Sequence, residues 1–466
     1  MLSISDGHQG ITRRRLLTIG SLGLGGLSLP TLYAAGGPGS SEGNPVTGKS
    51  VIFLFQQGGP SQFETFDPKP DIPTGNRTIG GVIPTTLPGV IFGATLRRLA
   101  KLAHKLTVVR SFHTNNSGHN IKPIVGEHSL EANIGTHYSR VVGSTHPLTG
   151  MPTNAVIFPR VVNSDVPGPS ARGNLRATGA YGKGLTPFVP GSGGQLQEDM
   201  KLRLDRGRND TRRRLLGQLD RLNRKADTRG QLDGLDKLQG QAYELILGGG
   251  VSRALDLSRE DPHTLKRYDT SVYARKGTWN KVSRGRKGYY CAQAATIGPL
   301  LLLARRLCEA GCGFVTIHAG YEGVWDMHAD GNNLNMVDGM EAVGRSFDHA
   351  VAAFVEDIED RGLRDKIMLV ATGEMGRTPK VNKNGGRDHW ARLAPLLLYG
   401  GGLEGGQVIG RSDRQGGEPA SDGCDPSHLI STILHTVFDP GKLRLKPDAP
   451  REVLALCAKP PIPGLF

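Results

Sequence analysis

The stretch GEMGRTPKVNKNGGRDHW, residues 373–390, sets two acids, a histidine and two arginines among glycines, with no apolar periodicity. A solvated turn needs none of Glu374, Asp388 and His389, so the stretch reads as a helix-free loop carrying ligand-type side chains. A second set lies in VWDMHAD, which offers Asp326, His328 and Asp330. Mixed carboxylate and imidazole sets suit zinc, manganese or iron, whereas carboxylates with water suit magnesium or calcium. Such a set can activate a nucleophile and, with two ions, hold both oxygens of an in-line displacement. Arg377 and Arg387 add guanidinium groups whose planar fork matches phosphate or sulfate. For any one of these residues an ordinary loop hydrogen bond is the plainer reading, and it is their number that argues for a site.

NNSGHNIKPIVGEHS adds His119, Glu127 and His128 in a segment that Pro123 and two glycines keep from being a good helix. His119 is either a ligand or a structural hydrogen-bonder. His349, inside FDHAVAAFVEDIEDRG, reads as a packing residue on its helix.

A sheet has to position these residues. VIFLF (51–55), LTVVR (106–110), AVIFP (155–159), FVTIH (314–318) and KIMLVA (366–371) read as buried strands. AQAATIGPLLLLARRLCEAG, FDHAVAAFVEDIEDRG and HLISTILHTVF read as helices between and after them. That alternation predicts an α/β fold, a largely parallel sheet covered by helices on both faces. Ligands in such folds gather at the carboxyl ends of the strands. There lie Gln57 to Ser61, Arg110 to His113, His318 with the Asp326 and His328 loop, and Glu374. The run APLLLYG (394–400) follows with no intervening helix and is expected as an antiparallel neighbour, which returns Asp388 and His389 to the edge that holds Glu374.

Composition narrows the partners. Of the net charge of +14, half falls in residues 201–230, where eleven Lys/Arg face four Asp/Glu. Leu215, Leu216, Leu219 and Leu222 make that stretch an amphipathic basic helix, either a solvated face or a rim attracting anions. No aromatic-studded basic motif accompanies it, so nucleic acid is not expected as a partner. Five cysteines without a CxxC pair read as structural thiols, with one optional disulfide. At the N-terminus Arg13, Arg14 and Arg15 precede an apolar run, Leu16 to Leu29, shorter than the roughly 20 residues a membrane span needs. The segment resembles a twin-arginine signal, which carries folded proteins. The expected organisation is a signal over 1–35, a flexible lead-in over 36–47 and one α/β domain over 48–466 with a helical charged insertion at about 200–290. No transmembrane span is expected once the signal is removed.

The phrases FLFQQGGPSQFETFDPKP, VVRSFHT, WDMHAD, GEMGRTP, GGRDHW and LLYGGGLEGGQVIGRSD together resemble the exported bacterial family called domain of unknown function 1501. With RALDLSRED included, the likeness runs over roughly residues 48–445. That family is grouped with the alkaline phosphatase-like superfamily, which includes sulfatases. The resemblance implies a metal-binding Asp after the first strand, a Ser, Thr or Cys nucleophile, and later Asp/His ligands at strand ends. By position it implies Asp326, His328, Glu374 and His389 as metal ligands, and the reading of the residues adds zinc, manganese or calcium as the expected ion, Asp388 orienting or ligating and Arg377 holding an oxyanion. The chain departs from the pattern at Gln56 and Gln57, where the Asp is expected, and at Met375, which stands in place of a His. Ser61 is a candidate nucleophile by location, with Thr65 and Ser111 as alternatives. CDPSH (424–428) is similar to the sulfatase cysteine core but lacks its arginine, with Leu429 in that place, and reads as a chance match.

The expected function is a metal-dependent hydrolase or transferase acting on a phosphate or sulfate ester outside the cytoplasm, its substrate a small anionic molecule or a glycan ester. The alternatives are a non-catalytic exported protein that recognises an anionic ligand on the same fold and, more weakly, a scaffold whose basic helix meets partner proteins. Replacing Arg13 and Arg14 by Lys should block export, as read by the precursor staying in the cytoplasm. A mature protein that keeps its first 35 residues folded into the core would refute the signal.

Overall fold

The computed structural model describes residues 44–191, 250–274, 284–319 and 321–465. The expected signal, most of the lead-in and the basic stretch 201–230 lie outside the described residues, and only parts of the insertion lie within them.

Eleven strands occur among the described residues: β1 (Ser50–Phe55), β2 (Val82–Pro84), β3 (Ile91–Gly93), β4 (Thr107–Val109), β5 (Asn154–Ile157), β6 (Phe314–His318), β7 (Ile367–Thr372), β8 (Gly376–Val381), β9 (Arg387–Trp390), β10 (Leu396–Gly400) and β11 (Gln407–Ile409). Seven form the central sheet, in the order β11-β4-β10-β7-β1-β6-β5. Strands β5, β6, β1 and β7 pair in parallel. Strand β10 runs against both of its neighbours, and β11 pairs in parallel with β4. Only β10 is therefore reversed, as its helix-free connection leads one to expect.

Strand β1 sits mid-sheet with Val51 to Phe55 buried, which is why its sequence is a continuous apolar run rather than an alternating one. Ile52 and Leu54 join the core on one face, beneath α1 (Arg284–Glu309) and α2 (Arg345–Asp360). Val51, Phe53 and Phe55 join the core on the other, beneath α3 (Pro426–Val437) and a helix over Ile134–Val142. The sheet is thus largely parallel and covered on both faces. Among the described residues no helix is long and apolar enough to cross a membrane. All five cysteines are free.

CDPSH proves to be a helix start. Asp425 accepts hydrogen bonds from the Ser427 and His428 amides while Pro426 opens α3, so a capping requirement accounts for these residue types.

Two expectations need correction. Residues 373–390 are not a plain loop, because β8 and β9 pair as an antiparallel ribbon with Arg377 opposite His389. Its strands show no apolar alternation because buried arginines, not an apolar face, hold the ribbon down. The Arg387 guanidinium lies 4.2 Å over the Phe63 ring and bonds Glu64 and the carbonyls of Asn76 and Arg77. The end of the lead-in is likewise tied down, since Thr47 donates its amide to the Val437 carbonyl and its hydroxyl to that of Thr436, at the open C-terminus of α3.

Helix α2 supports the loop beyond β6 by setting Phe347 edge-on against Trp325 at 5.6 Å. The next residue, Asp348, reaches a short helix at Arg97–Lys101 that has no side-chain cap of its own, and accepts the amides of Arg98 and Leu99. Burial raises the Asp348 pKa to about 6 against those bonds. The folded state therefore binds a proton more tightly than the unfolded chain, and the Asp348 contribution to stability falls as pH rises from about 4 to about 6. Relative to wild type, Asp348→Asn should gain as much as about 3 kcal/mol over that window, read as denaturant midpoints at either end. A difference that does not change with pH would refute this.

Candidate metal centre

The reversed strand explains the assembly. Strands β1, β4, β6 and β7 all end at one edge, and β10 begins there, so the segment leading into β10 arrives where the others leave. His119 comes from the loop after β4, Asp326 and His328 from the loop after β6, and His389 from β9 just before β10. Two glycines permit the close approach. Gly58, at φ +123°, lies so near the loop after β6 that a Cβ would sit 2.7 Å from the Asp326 amide nitrogen. Gly386 faces the His328 carbonyl with no room for a side chain.

Three imidazoles converge on one carboxylate. Nε2 of His119 lies 2.9 Å from Asp326 Oδ2, and Nε2 of His328 and of His389 lie 2.8 Å and 3.3 Å from Oδ1. One donor atom from each of the four residues falls within 4.8 Å of all the others. The outward nitrogens also face oxygens. His119 Nδ1 is 2.9 Å from Glu374 Oε1, His389 Nδ1 is 2.8 Å from the Ser117 carbonyl, and His328 Nδ1 is 3.6 Å from Asp388 Oδ1. Arg377 Nη2 completes the surround at 2.8 Å from Asp326 Oδ1.

The charges follow from this geometry. Burial works to raise the Asp326 pKa, but hydrogen bonds from the three histidines and the Arg377 charge hold it far below the usual carboxylate range. Burial works to lower the His119 pKa, and its bonds to Asp326 and Glu374 override it, raising it to about 9.

His119 and His389 have acceptors on their outward nitrogens, so each ring can keep a proton there and give up the one at Nε2 to an ion, leaving inward lone pairs that converge on a carboxylate. Lone pairs facing an anion need a cation between them. Three doubly protonated rings would instead set cations side by side, with ring centroids 4.3 Å and 4.5 Å apart. A divalent ion satisfies all four donors at once, so the residues fit a metal.

The sequence-derived assignments are partly redistributed. Asp326, His328 and His389 come together. Glu374 does not join the donors, because both its oxygens accept the Gly58 amide and Oε1 also faces His119. His119 takes its place. The sequence signal for it was its position after β4 at the shared edge. Asp388 is exposed and reaches only the outer nitrogen of His328. Arg377 is fully buried and bonds the carbonyls of Gly58, Gly59 and Arg387 as well as Asp326, so it braces the site and offers no oxyanion clamp. Arg387 is committed to the ribbon. Ser61 and Thr65 are both buried, at 1% exposure, and stand outside the donor cluster; Ser61 donates its hydroxyl to Glu64 and Thr65 to the Ser61 carbonyl, so neither faces solvent as a nucleophile would need to. Asp330 caps its own turn through the amides of Asn332 and Asn333. Gln57, in the place expected for an Asp, bonds His318 and the Asn120 carbonyl and so steadies the loop that carries His119.

The His328 and His389 side chains are 22% and 25% exposed, enough to be reached from solvent. An open cleft of about 310 Å³ adjoins His328, lined also by Asp330, Asn382, Lys383 and Asp388.

No curated relative matches the sequence. Among solved structures, PsFucS1 sulfatase from Pseudoalteromonas sp. is 12% identical with a TM-score of 0.34, covering 91% of this chain and 72% of its own. A mutant TAB5 alkaline phosphatase with Mg bound is 14% identical at a TM-score of 0.28, over 84% of this chain and 99% of its own. The phosphonate monoester hydrolase SpPMH from Silicibacter pomeroyi is 10% identical at 0.29, over 84% and 74%. Likenesses this slight assign no activity. The family model described as protein of unknown function (DUF1501) matches residues 48–447, and the chain belongs to that family.

Proposed function

We propose that the protein is a metal-dependent hydrolase acting on a phosphate or sulfate ester outside the cytoplasm. The observation that carries the reading is the convergence of His119, Asp326, His328 and His389 at a solvent-reachable edge of the sheet. Their Nε2 atoms and the Asp326 carboxylate would hold one ion. A divalent ion there supplies Lewis-acid charge to an ester oxygen and lowers the pKa of water. Three imidazoles with one carboxylate suit zinc or manganese and fit calcium, an oxygen-seeking ion, least of the three.

The chain's own residues do the rest. Arg377 fixes the Asp326 carboxylate, and Asp388 adds a negative charge 3.6 Å from the outer nitrogen of His328. Lys383, exposed at the ribbon tip, supplies a cation on the cleft wall for an anionic ester. With Ser61 buried out of reach of a substrate, water is the nucleophile this arrangement favours, hence hydrolysis over transfer. Export rests on the N-terminal arginine cluster and the apolar run behind it.

The same commitment of Ser61 and Arg377 supports a second reading, a non-catalytic protein that recognises an anionic ligand through the ion. Turnover separates the two. The zinc- or manganese-loaded protein should cleave at least one member of a panel of phosphate and sulfate esters, and Asp326→Ala should lose metal and turnover together. Metal bound in one-to-one ratio with no turnover anywhere on the panel would select the binding protein.

His389→Ala should lower bound metal, measured by elemental analysis. His349→Ala should leave it unchanged, because His349, on α2, bonds the Arg267 carbonyl and the Tyr273 hydroxyl and takes no part in the cluster. Equal metal content in the two variants would count against the assignment.

A further inference from the structure

Glu374 is fully buried, yet it makes no bond to the donor atoms that would face an ion. Its carboxylate has two duties. Both oxygens accept the Gly58 amide, at 2.8 Å and 3.1 Å, and Oε1 also meets His119 Nδ1 at 2.9 Å. Gly58 in turn lies against the Asp326 amide with no room for a Cβ. One side chain thus fixes His119 directly and the Asp326 loop through Gly58. A buried carboxylate needs compensating charge. Arg377, the nearest guanidinium in sequence, is turned to Asp326 instead, and the one ion-pair contact Glu374 shows among the described residues is His119.

Resting on the metal reading above, we infer that Glu374 is a positioning residue that holds His119 as its Nδ1–H tautomer and strengthens Nε2 as a donor to the ion. A carboxylate behind a ligating imidazole makes the ring more basic and pins its orientation, and losing such a partner costs roughly 10–100-fold in metal affinity. Glu374 thereby sets how tightly the centre holds its ion without touching it.

The test is cobalt and zinc binding by wild type and Glu374→Gln. Glutamine keeps the volume and one acceptor oxygen, which Gly58 and His119 can share as they share Oε1, while it removes the charge and the second acceptor that Gly58 meets at 3.1 Å. Glu374→Gln should fold, bind cobalt about 10–100-fold more weakly than wild type, and shift the visible cobalt spectrum. A purely structural role predicts wild-type affinity and spectrum, and that result would overturn the inference. Should the variant not fold, histidine-¹⁵N NMR of the zinc-loaded wild type decides. His119 bound through Nε2 with a slowly exchanging Nδ1 proton supports the relay, and His119 bound through Nδ1 overturns it. Wild type that takes up neither metal removes the metal reading and this one together, whereas wild-type binding with an unaltered Glu374→Gln removes this one alone.

Discussion

The Asp326 carboxylate is 7% exposed and is approached by three imidazoles, a guanidinium and the Asn333 amide. A carboxylate taken that far out of water costs several kcal/mol unless positive charge and hydrogen bonds replace its hydration. Much of the surrounding architecture is the means of gathering those groups. Arg377 must pass between the loops after β1 and β6 to reach it, and on the way satisfies the carbonyls of Gly58 and Gly59. The same guanidinium bonds the Arg387 carbonyl, so the carboxylate and the ribbon that delivers His389 are held by a single side chain.

The gathering depends on topology as much as on chemistry. In a fully parallel sheet each connection must cross to the far edge and return, usually through a helix. Reversing β10 spares one crossing and leaves the chain between β7 and β10 free to fold as a ribbon at the edge where the other loops emerge. That ribbon has no apolar face to bury. Arg387 over Phe63 and against Glu64 takes over the work a hydrophobic stripe would do elsewhere.

The fold was legible because its strands are buried on both faces and so appear as unbroken apolar runs. The reversal of β10 was legible from the missing helix before it. The ribbon was not, since Gly376 to Val381 and Arg387 to Trp390 lack the alternation that marks a half-buried strand. At the site, residue type and strand end sufficed to nominate Asp326, His328 and His389. They could not separate Glu374 from His119, because both lie at the same edge and only the direction of two side chains tells donor from supporter. Arg377 was misjudged for a related reason. An arginine near a ligand set looks like a clamp until its donors are accounted for, and here they all point inward. Ser61 lies at a strand end as a nucleophile would, but its burial beside Glu64 is a tertiary fact that position in the sequence does not show.

The four converging side chains come from distant parts of the chain: 207 residues separate His119 from Asp326, and 63 separate Asp326 from His389. Closing such loops in an unfolded chain costs entropy that rises only slowly with length, and most of that cost falls on forming the loops at all. A ligand that binds the folded arrangement and not the open chain shifts the folding equilibrium by RT ln(1 + [L]/Kd). An ion seated here would therefore act as a non-covalent cross-link across the loops following β4 and β6 and the β9 ribbon. Scarcity of that ion would then be felt as a smaller folded population as well as an empty site.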